Sequence, residues 1–170
     1  MSDPKILDNL DEPGNIMYSV KQPYAVFTQT SGSSGIMSTG VAHTVRPSAG
    51  SGPLNIWDNL LLEGGISIGT TGTITFSQSG YYMAVYSGAI GVSVETGRLR
   101  LLLVKQGLSV NQLWLYNHTE ISTSSTTCFT CSGAYPVNAG DKFDLIFIVD
   151  DAYSSSQVMI SQNKLTLYMI

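Results

Sequence analysis

Short runs of alternating apolar and polar residues, separated by clusters of Gly, Ser, Asn and Pro, fill the chain from residue 22 onward. Alternation with a period of two places the apolar side chains on one face of a strand. Many short strands joined by turn residues are typical of an all-β sandwich or jelly roll. Residues 57–63 form the best helical candidate, which is too short to alter this prediction, and SGSSG at 31–35 is predicted to be a turn. The predicted strands are 24–30, 42–46, 55–59, 65–68, 73–77, 81–87, 98–106, 112–118, 126–132, 142–150 and 164–170, with 158–161 as a weaker one.

Several of these strands are apolar on both faces. Phe143, Leu145, Phe147 and Val149 share one face of their strand, while residues 146 and 148 on the other face are both isoleucine. The 98–106 and 164–170 strands show the same feature. A two-layer sandwich has one core and cannot cover both faces of so many strands. Either long loops of the same chain or other subunits must cover the outer faces. Because the loops are small and polar, we expect other subunits to do so.

The first 22 residues differ from the rest in charge and in breaker residues. Four acids and a single lysine lie within residues 1–20, and Pro4, Pro13 and Gly14 interrupt any long element. One interpretation is a frayed terminus. The sharper hypothesis is an arm, residues 1–22, that orders on a partner and precedes a jelly-roll domain at 23–170. Its predicted docking anchors are Ile6, Leu7, Leu10, Ile16 and Met17.

Composition narrows the classes of partner. Charged residues make up 12% of the 170 residues, and the net charge is −4. Because no basic cluster occurs, we expect neither nucleic-acid nor anionic-membrane binding. No apolar stretch reaches the ~18 residues of a membrane span. The N-terminus lacks a basic region followed by an apolar run, so we expect a soluble protein made in a cytosol.

No catalytic or metal-ligating constellation is readable around the two histidines, His43 and His118. We therefore expect no enzyme, no metal and no cofactor. In a strand, Cys128 and Cys131 would point to opposite faces, which favours two free thiols over a disulfide, redox or metal role. Two acid pairs, Asp141 with Asp144 and Asp150 with Asp151, are expected to be solvated turns, with a cation site as the alternative.

The tyrosines and tryptophans could serve packing or recognition. The simpler interpretation is that these residues pack in the core or between subunits. Exposed Tyr and Trp, however, also bind sugars and proteins. Trp114 and Tyr116 alternate with Leu113 and Leu115, so one of these two sets faces outward. The candidate recognition residues are Trp114, Tyr116 and Tyr153.

Four motifs occur in an order that resembles a known fold. They are YAVFT at 24–28, the Phe76, Gly80 and Tyr82 pattern, the Ala139-Gly140-Asp141 turn before a long apolar strand, and KLTLYMI at 164–170. This order resembles the trimeric jelly roll shared by complement globular heads, tumour-necrosis-factor-like ligands and several bacterial and phage surface proteins. The resemblance implies an antiparallel jelly-roll sandwich that forms a homotrimer. It implies trimer or core packing for Phe27, Phe76, Tyr82, Phe143, Leu145, Phe147, Leu165 and Tyr168.

The function expected from these features is structural and non-enzymatic. A trimeric phage or other virion protein, such as a capsid decoration protein, head fibre or spike, fits the arm and the lack of a secretory signal. Its arm would bind the major capsid protein or another virion protein. The alternative is a receptor-binding or adhesin head that recognises a cell-surface glycan or protein.

Overall fold

The computed structural model describes residues 6–7, 17–18, 21–30, 33–38, 40–48, 54–92, 97–107, 113–121, 126–150 and 156–170. All regular elements in these ranges are strands. They are β1 (Ile6–Leu7), β2 (Met17–Tyr18), β3 (Tyr24–Thr28), β4 (Ser33–Met37), β5 (Ala42–Thr44), β6 (Arg46–Pro47), β7 (Asn55–Trp57), β8 (Asn59–Glu63), β9 (Ile66–Ile68), β10 (Ile74–Phe76), β11 (Gly80–Val92), β12 (Gly97–Lys105), β13 (Leu113–Ile121), β14 (Thr126–Val137), β15 (Lys142–Asp150) and β16 (Ser156–Met169).

Two antiparallel sheets form the sandwich. The first sheet has the order β14-β11-β16-β3-β8, with β4 also paired to β16. The second sheet has the order β13-β12-β15-β10-β9, with β5 also paired to β15. Every neighbouring pair along the first sheet, and the β12–β15 and β15–β10 pairs of the second, join strands that are not consecutive in the chain, as in a jelly roll. The predicted all-β antiparallel jelly roll is therefore confirmed.

The core fills the space between the sheets with aromatic and branched side chains. Phe76 packs edge-on against Tyr82 and Phe143, with ring centroids 4.8 and 5.6 Å away. On β15 the exposure alternates residue by residue, as period-two patterning requires. Seven of the residues expected in trimer or core packing are at most 1% exposed within one chain: Phe27, Phe76, Tyr82, Phe143, Leu145, Phe147 and Leu165.

The sequence prediction was wrong at two elements of the first sheet. Residues 33–37, of which 33–35 were predicted as part of a turn, form β4 and pair with residues 156–160 of β16. Residues 59–63, the heart of the helical candidate, form β8 and pair with β3. A Ser/Gly-rich segment has low strand propensity by itself, so the strand forms because a neighbour takes up its backbone hydrogen bonds.

On the outward face of the second sheet, side chains of the same chain provide the cover that we had expected from another subunit. Leu102, predicted to need another subunit, is only 3% exposed within one chain. It lies directly opposite Tyr116 on β13 and Ile146 on β15, and paired side chains on one sheet face contact each other. The open apolar surface lies instead on the first sheet.

The turn that leads into β15 is fixed by its own aspartate. Asp141 Oδ2 accepts the Asn138 N–H at 2.9 Å and the Lys105 ammonium at 2.6 Å. Burial opposes ionisation of Asp141, but the hydrogen bonds from Lys105 and Asn138 outweigh it and lower its pKa. Gly140 has φ of +88°, which glycine adopts without strain. Asp141 therefore caps its own turn.

A buried polar network joins three strands of the first sheet near a bulge in the β11–β16 pairing. The Tyr86 hydroxyl donates to Asn163 Oδ1, and Asn163 Nδ2 donates to Gln29 Oε1 at 2.7 Å. Gln29 Nε2 donates to the Ile160 carbonyl at 2.9 Å. Asn163 and Gln29 are 1% and 6% exposed, so their buried polar groups form hydrogen bonds within the protein in place of bonds to solvent.

Candidate interaction surface

The outward face of the first sheet carries apolar side chains on four neighbouring strands. Antiparallel pairing places Leu61, Val26, Thr166 and Val85 side by side on β8, β3, β16 and β11. The next row contains Tyr24, Tyr168 and Met83. We call this surface the association face and define it by Val26, Leu61, Tyr81, Met83, Val85 and Tyr168.

Several of these side chains are open to solvent in a single chain. Tyr81 is 62% exposed, Leu61 49% and Val85 37%. Polar residues border these rows on both sides. Glu63 of β8 pairs with Lys21 at 2.9 Å on one side, and the row on the other side contains Thr28, Lys164 and Ser87. An apolar centre with a polar rim is the usual anatomy of a protein–protein interface.

The residues expected in subunit packing separate into two groups. Seven lie in the core of one chain, and Tyr168 alone lies on the association face, where it is half-buried. Of the strands that carry these eight residues, β3, β11 and β16 lie in the first sheet, whereas β10 and β15 lie in the second. Contacts between subunits by any of them stay a prediction. Val26, Leu61 and Val85 were missed because only the register reveals that they share one face.

Two of the three candidate recognition residues are described, and they differ. Trp114 is 6% exposed and donates its indole N–H to the Gly133 carbonyl at 2.8 Å, so it is a core residue rather than a recognition residue. Tyr116 is 53% exposed. Tyr153 lies outside the described residues.

The predicted arm is described only where two short strands pair. Ile6 lies opposite Tyr18, and Leu7 lies opposite Met17. Leu10 and Ile16 lie outside the described residues. The docking role of all five anchors stays a prediction.

The described acidic side chains that sequence analysis singled out contact side-chain donors. Asp144 accepts from the Thr73 hydroxyl and the Gln106 amide at 2.9 Å each. Asp150 accepts from the Arg100 guanidinium. Within the ranges given above, no three His, Cys, Asp or Glu side chains come together as metal ligands.

The two cysteines of β14 have different environments. Cys128 is exposed, whereas Cys131 is half-buried against the core. Burial raises the pKa of the Cys131 thiol to about 11. Since the thiolate is the nucleophile, Cys131 should react slowly at neutral pH.

This difference gives a measurable prediction. In a Cys128→Ser variant at pH 8, we expect alkylation of Cys131 to be at least about 100-fold slower in the folded chain than in urea, because each pKa unit reduces the thiolate about tenfold. Mass spectrometry of quenched samples measures both rates. The rate in the folded chain should continue to rise up to about pH 11. Equal rates in the two states would contradict the burial of this thiol.

Comparison with solved structures places the fold. The chain is similar to Eiger TNF from S. frugiperda at a TM-score of 0.58 and 12% identity, covering 88% of this chain and 94% of that one. It is similar to murine APRIL at a TM-score of 0.57 and 14% identity, covering 88% and 100%. The globular domain of zebrafish complement 1qA gives a TM-score of 0.57 at 14% identity, covering 88% and 98%.

In the comparisons of sequence, no protein-family model and no curated protein matches the chain. In the ranges that the structure describes, no helix is long and apolar enough to cross a membrane. The strand order and the structural neighbours together confirm the fold expected from the four motifs. The chain has the jelly-roll fold of tumour-necrosis-factor-like ligands and complement globular heads.

Proposed function

We propose that the protein is a non-enzymatic homotrimer, assembled through the association face, that serves as a structural component on the surface of a virion. In this proposal the jelly roll points outward as a capsid decoration protein, head fibre or spike. The arm at 1–22 attaches it to the major capsid protein or another virion protein. The particle is assembled in the host cytoplasm, and a phage is the favoured virus.

The exposed apolar side chains of the association face support the proposal that the protein forms a homotrimer. Fully burying one Val, Leu or aromatic side chain contributes about 1.5–3 kcal/mol, so a face with Tyr81, Leu61 and Val85 open to water favours self-association. Its strands, β3, β11 and β16, include motif segments on which the sequence resembles a trimeric family. Three copies of this chain around a three-fold axis can cover this apolar surface together, without a further partner.

The contacts of the acidic side chains and the positions of the histidines support a non-enzymatic role. The paired acids described above are engaged with lysine, arginine, threonine or amide donors. His43 accepts the backbone N–H of Ser38 at 3.2 Å and lies in a different strand from His118. This arrangement supports a scaffold rather than a catalytic site.

The first test is the mass in solution, by light scattering behind a sizing column. The proposal expects a species of three times 18.2 kDa that survives dilution. A stable monomer would contradict it. The virion role is tested separately by deleting residues 1–20 and measuring particle attachment, which should be lost while the trimer mass is kept. Unchanged attachment would overturn the docking role of the arm.

The second candidate function is a receptor-binding or adhesin head that recognises a cell-surface glycan or protein. One observation favours it: the exposed ring of Tyr116 lies in a cleft with charged side chains on the sheet opposite the association face.

A further inference from the structure

A cleft of about 420 Å³ opens on the outward face of the second sheet. Five side chains from three adjacent strands line it: Arg98 and Arg100 of β12, Tyr116 and His118 of β13, and Asp150 of β15. Its volume falls within the about 300–1,000 Å³ of small-molecule sites.

Strand register explains why these side chains meet. Arg100 lies directly opposite His118, and Arg98 lies directly opposite Asp150. Directly paired residues project from the same face of a sheet, and residues two apart on one strand do so as well. The cleft therefore belongs to the regular part of the sheet, where strands fix the positions of its side chains.

The polar groups of the cleft are held in place. Arg100 binds Asp150 through two parallel contacts, with Nη2 2.8 Å from Oδ1, which orients the guanidinium plane. A carboxylate offers about four acceptor sites, so Asp150 can hold Arg100 and also accept from a ligand hydroxyl. The rings of Tyr116 and His118 lie 6.2 Å apart at an angle of 37°, and they form an aromatic wall.

We infer that this cleft binds a sugar that carries a carboxylate. An exposed aromatic ring can stack on the apolar C–H face of a pyranose while its hydroxyl stays hydrated. Arginine recognises carboxylates with two parallel hydrogen bonds, and two of the three arginines in the chain line this cleft. Sugar hydroxyls both donate and accept, which matches a wall that contains guanidinium and carboxylate groups together.

The presence of Asp150 argues for this ligand over a phosphate or sulfate. A sulfate offers only acceptors, and a phosphate has P–OH donors only on the charged group itself. The hydroxyls of an acidic sugar lie apart from its carboxylate, so one of them can donate to Asp150 while the carboxylate contacts an arginine. Glu120 lies opposite Arg98 on β13, outside the lining of the cleft, and is exposed. Its charge should weaken the binding of an acidic sugar from the rim.

The cleft faces away from the association face because the two sheets turn opposite sides outward. Association of the first sheet would thus leave one open cleft on each subunit. Several clefts on one particle would raise the avidity for a glycan-bearing surface. The inference concerns a single chain, so failure of the trimer or virion proposal leaves it intact.

The test measures binding to the full chain by ligand-observed NMR and calorimetry. The probes are two matched pairs: methyl glucuronide with methyl glucoside, and sialyllactose with lactose. We expect at least one acidic sugar to bind tenfold or more tightly than its neutral partner. Equal binding within both pairs, or binding of acetate as tight as that of the acidic sugars, would overturn the inference.

Variants locate the binding. Arg98→Lys keeps the charge but loses the planar fork, and it should weaken binding of the acidic sugar about tenfold, while Tyr116→Ala should abolish it. Glu120→Gln should strengthen binding two- to threefold, a gain that a merely structural role would not produce. Lys142→Ala is the matched control: it removes a charge from the second sheet outside the cleft and should leave binding unchanged. If the cleft variants, checked by circular dichroism, bind like the unsubstituted chain, the site is elsewhere and the inference is wrong.

Discussion

The proposed trimer is expected to dissociate into monomers when Val85 is replaced by arginine. Val85 lies in the central rows of the association face and is 37% exposed in one chain. A buried guanidinium without a partner costs several kcal/mol, and three copies of it would enter each trimer. A loss of about 3 kcal/mol already weakens association more than 100-fold. Light scattering at micromolar concentration should therefore give a mass of 18.2 kDa.

The matched control is Val41→Arg. Val41 is 48% exposed and lies beside β5 of the second sheet, away from the association face. This variant makes the same chemical change at a similarly open position, so it should keep the mass of the unsubstituted chain. Dissociation of both variants would indicate a general loss of stability, and dissociation of neither would contradict the proposed interface.

Replacement of Asn163 by alanine is expected to cost about 3 kcal/mol or more of folding free energy. The substitution leaves the Tyr86 hydroxyl and the Gln29 side-chain carbonyl buried without their partner. Each orphaned buried polar group costs about 1–3 kcal/mol. For a chain of this length the melting temperature should fall by about 6–12 °C. Urea unfolding at a fixed protein concentration measures the change.

Asn117→Ala is the matched control for this prediction. Asn117 donates a hydrogen bond of 3.2 Å to the Thr130 carbonyl at an exposed site. Water can replace that bond, so we expect a cost below about 1 kcal/mol. Tyr86→Phe combined with Asn163→Ala should cost less than the sum of the two single changes, because both remove the same contact. Equal costs for Asn163→Ala and Asn117→Ala would mean that the buried network does not contribute to stability.

Local pattern predicted most of the strands, because alternation and turn residues act within a few positions of each other. The long strand at 142–150 and the turn before it, which Asp141 caps, were both predicted from such local features. Strand ends were less accurate: β11 continues to Val92 and β14 to Val137, both past their predicted limits. Pairing with a neighbour extends a strand beyond the point at which its own residues favour one.

The sequence by itself determined an all-β sandwich, since period-two patterning and turn chemistry are local properties of the chain. The order of four motifs was enough to indicate the jelly roll. Only the tertiary structure decided which of the apolar residues stay open to water. Trp114 is buried because it packs against the core ring of Phe143, and Leu102 is covered beside its paired neighbours, whereas Val85 and Tyr116 stay open. The association face and the charged cleft are both products of such pairing across residues far apart in sequence.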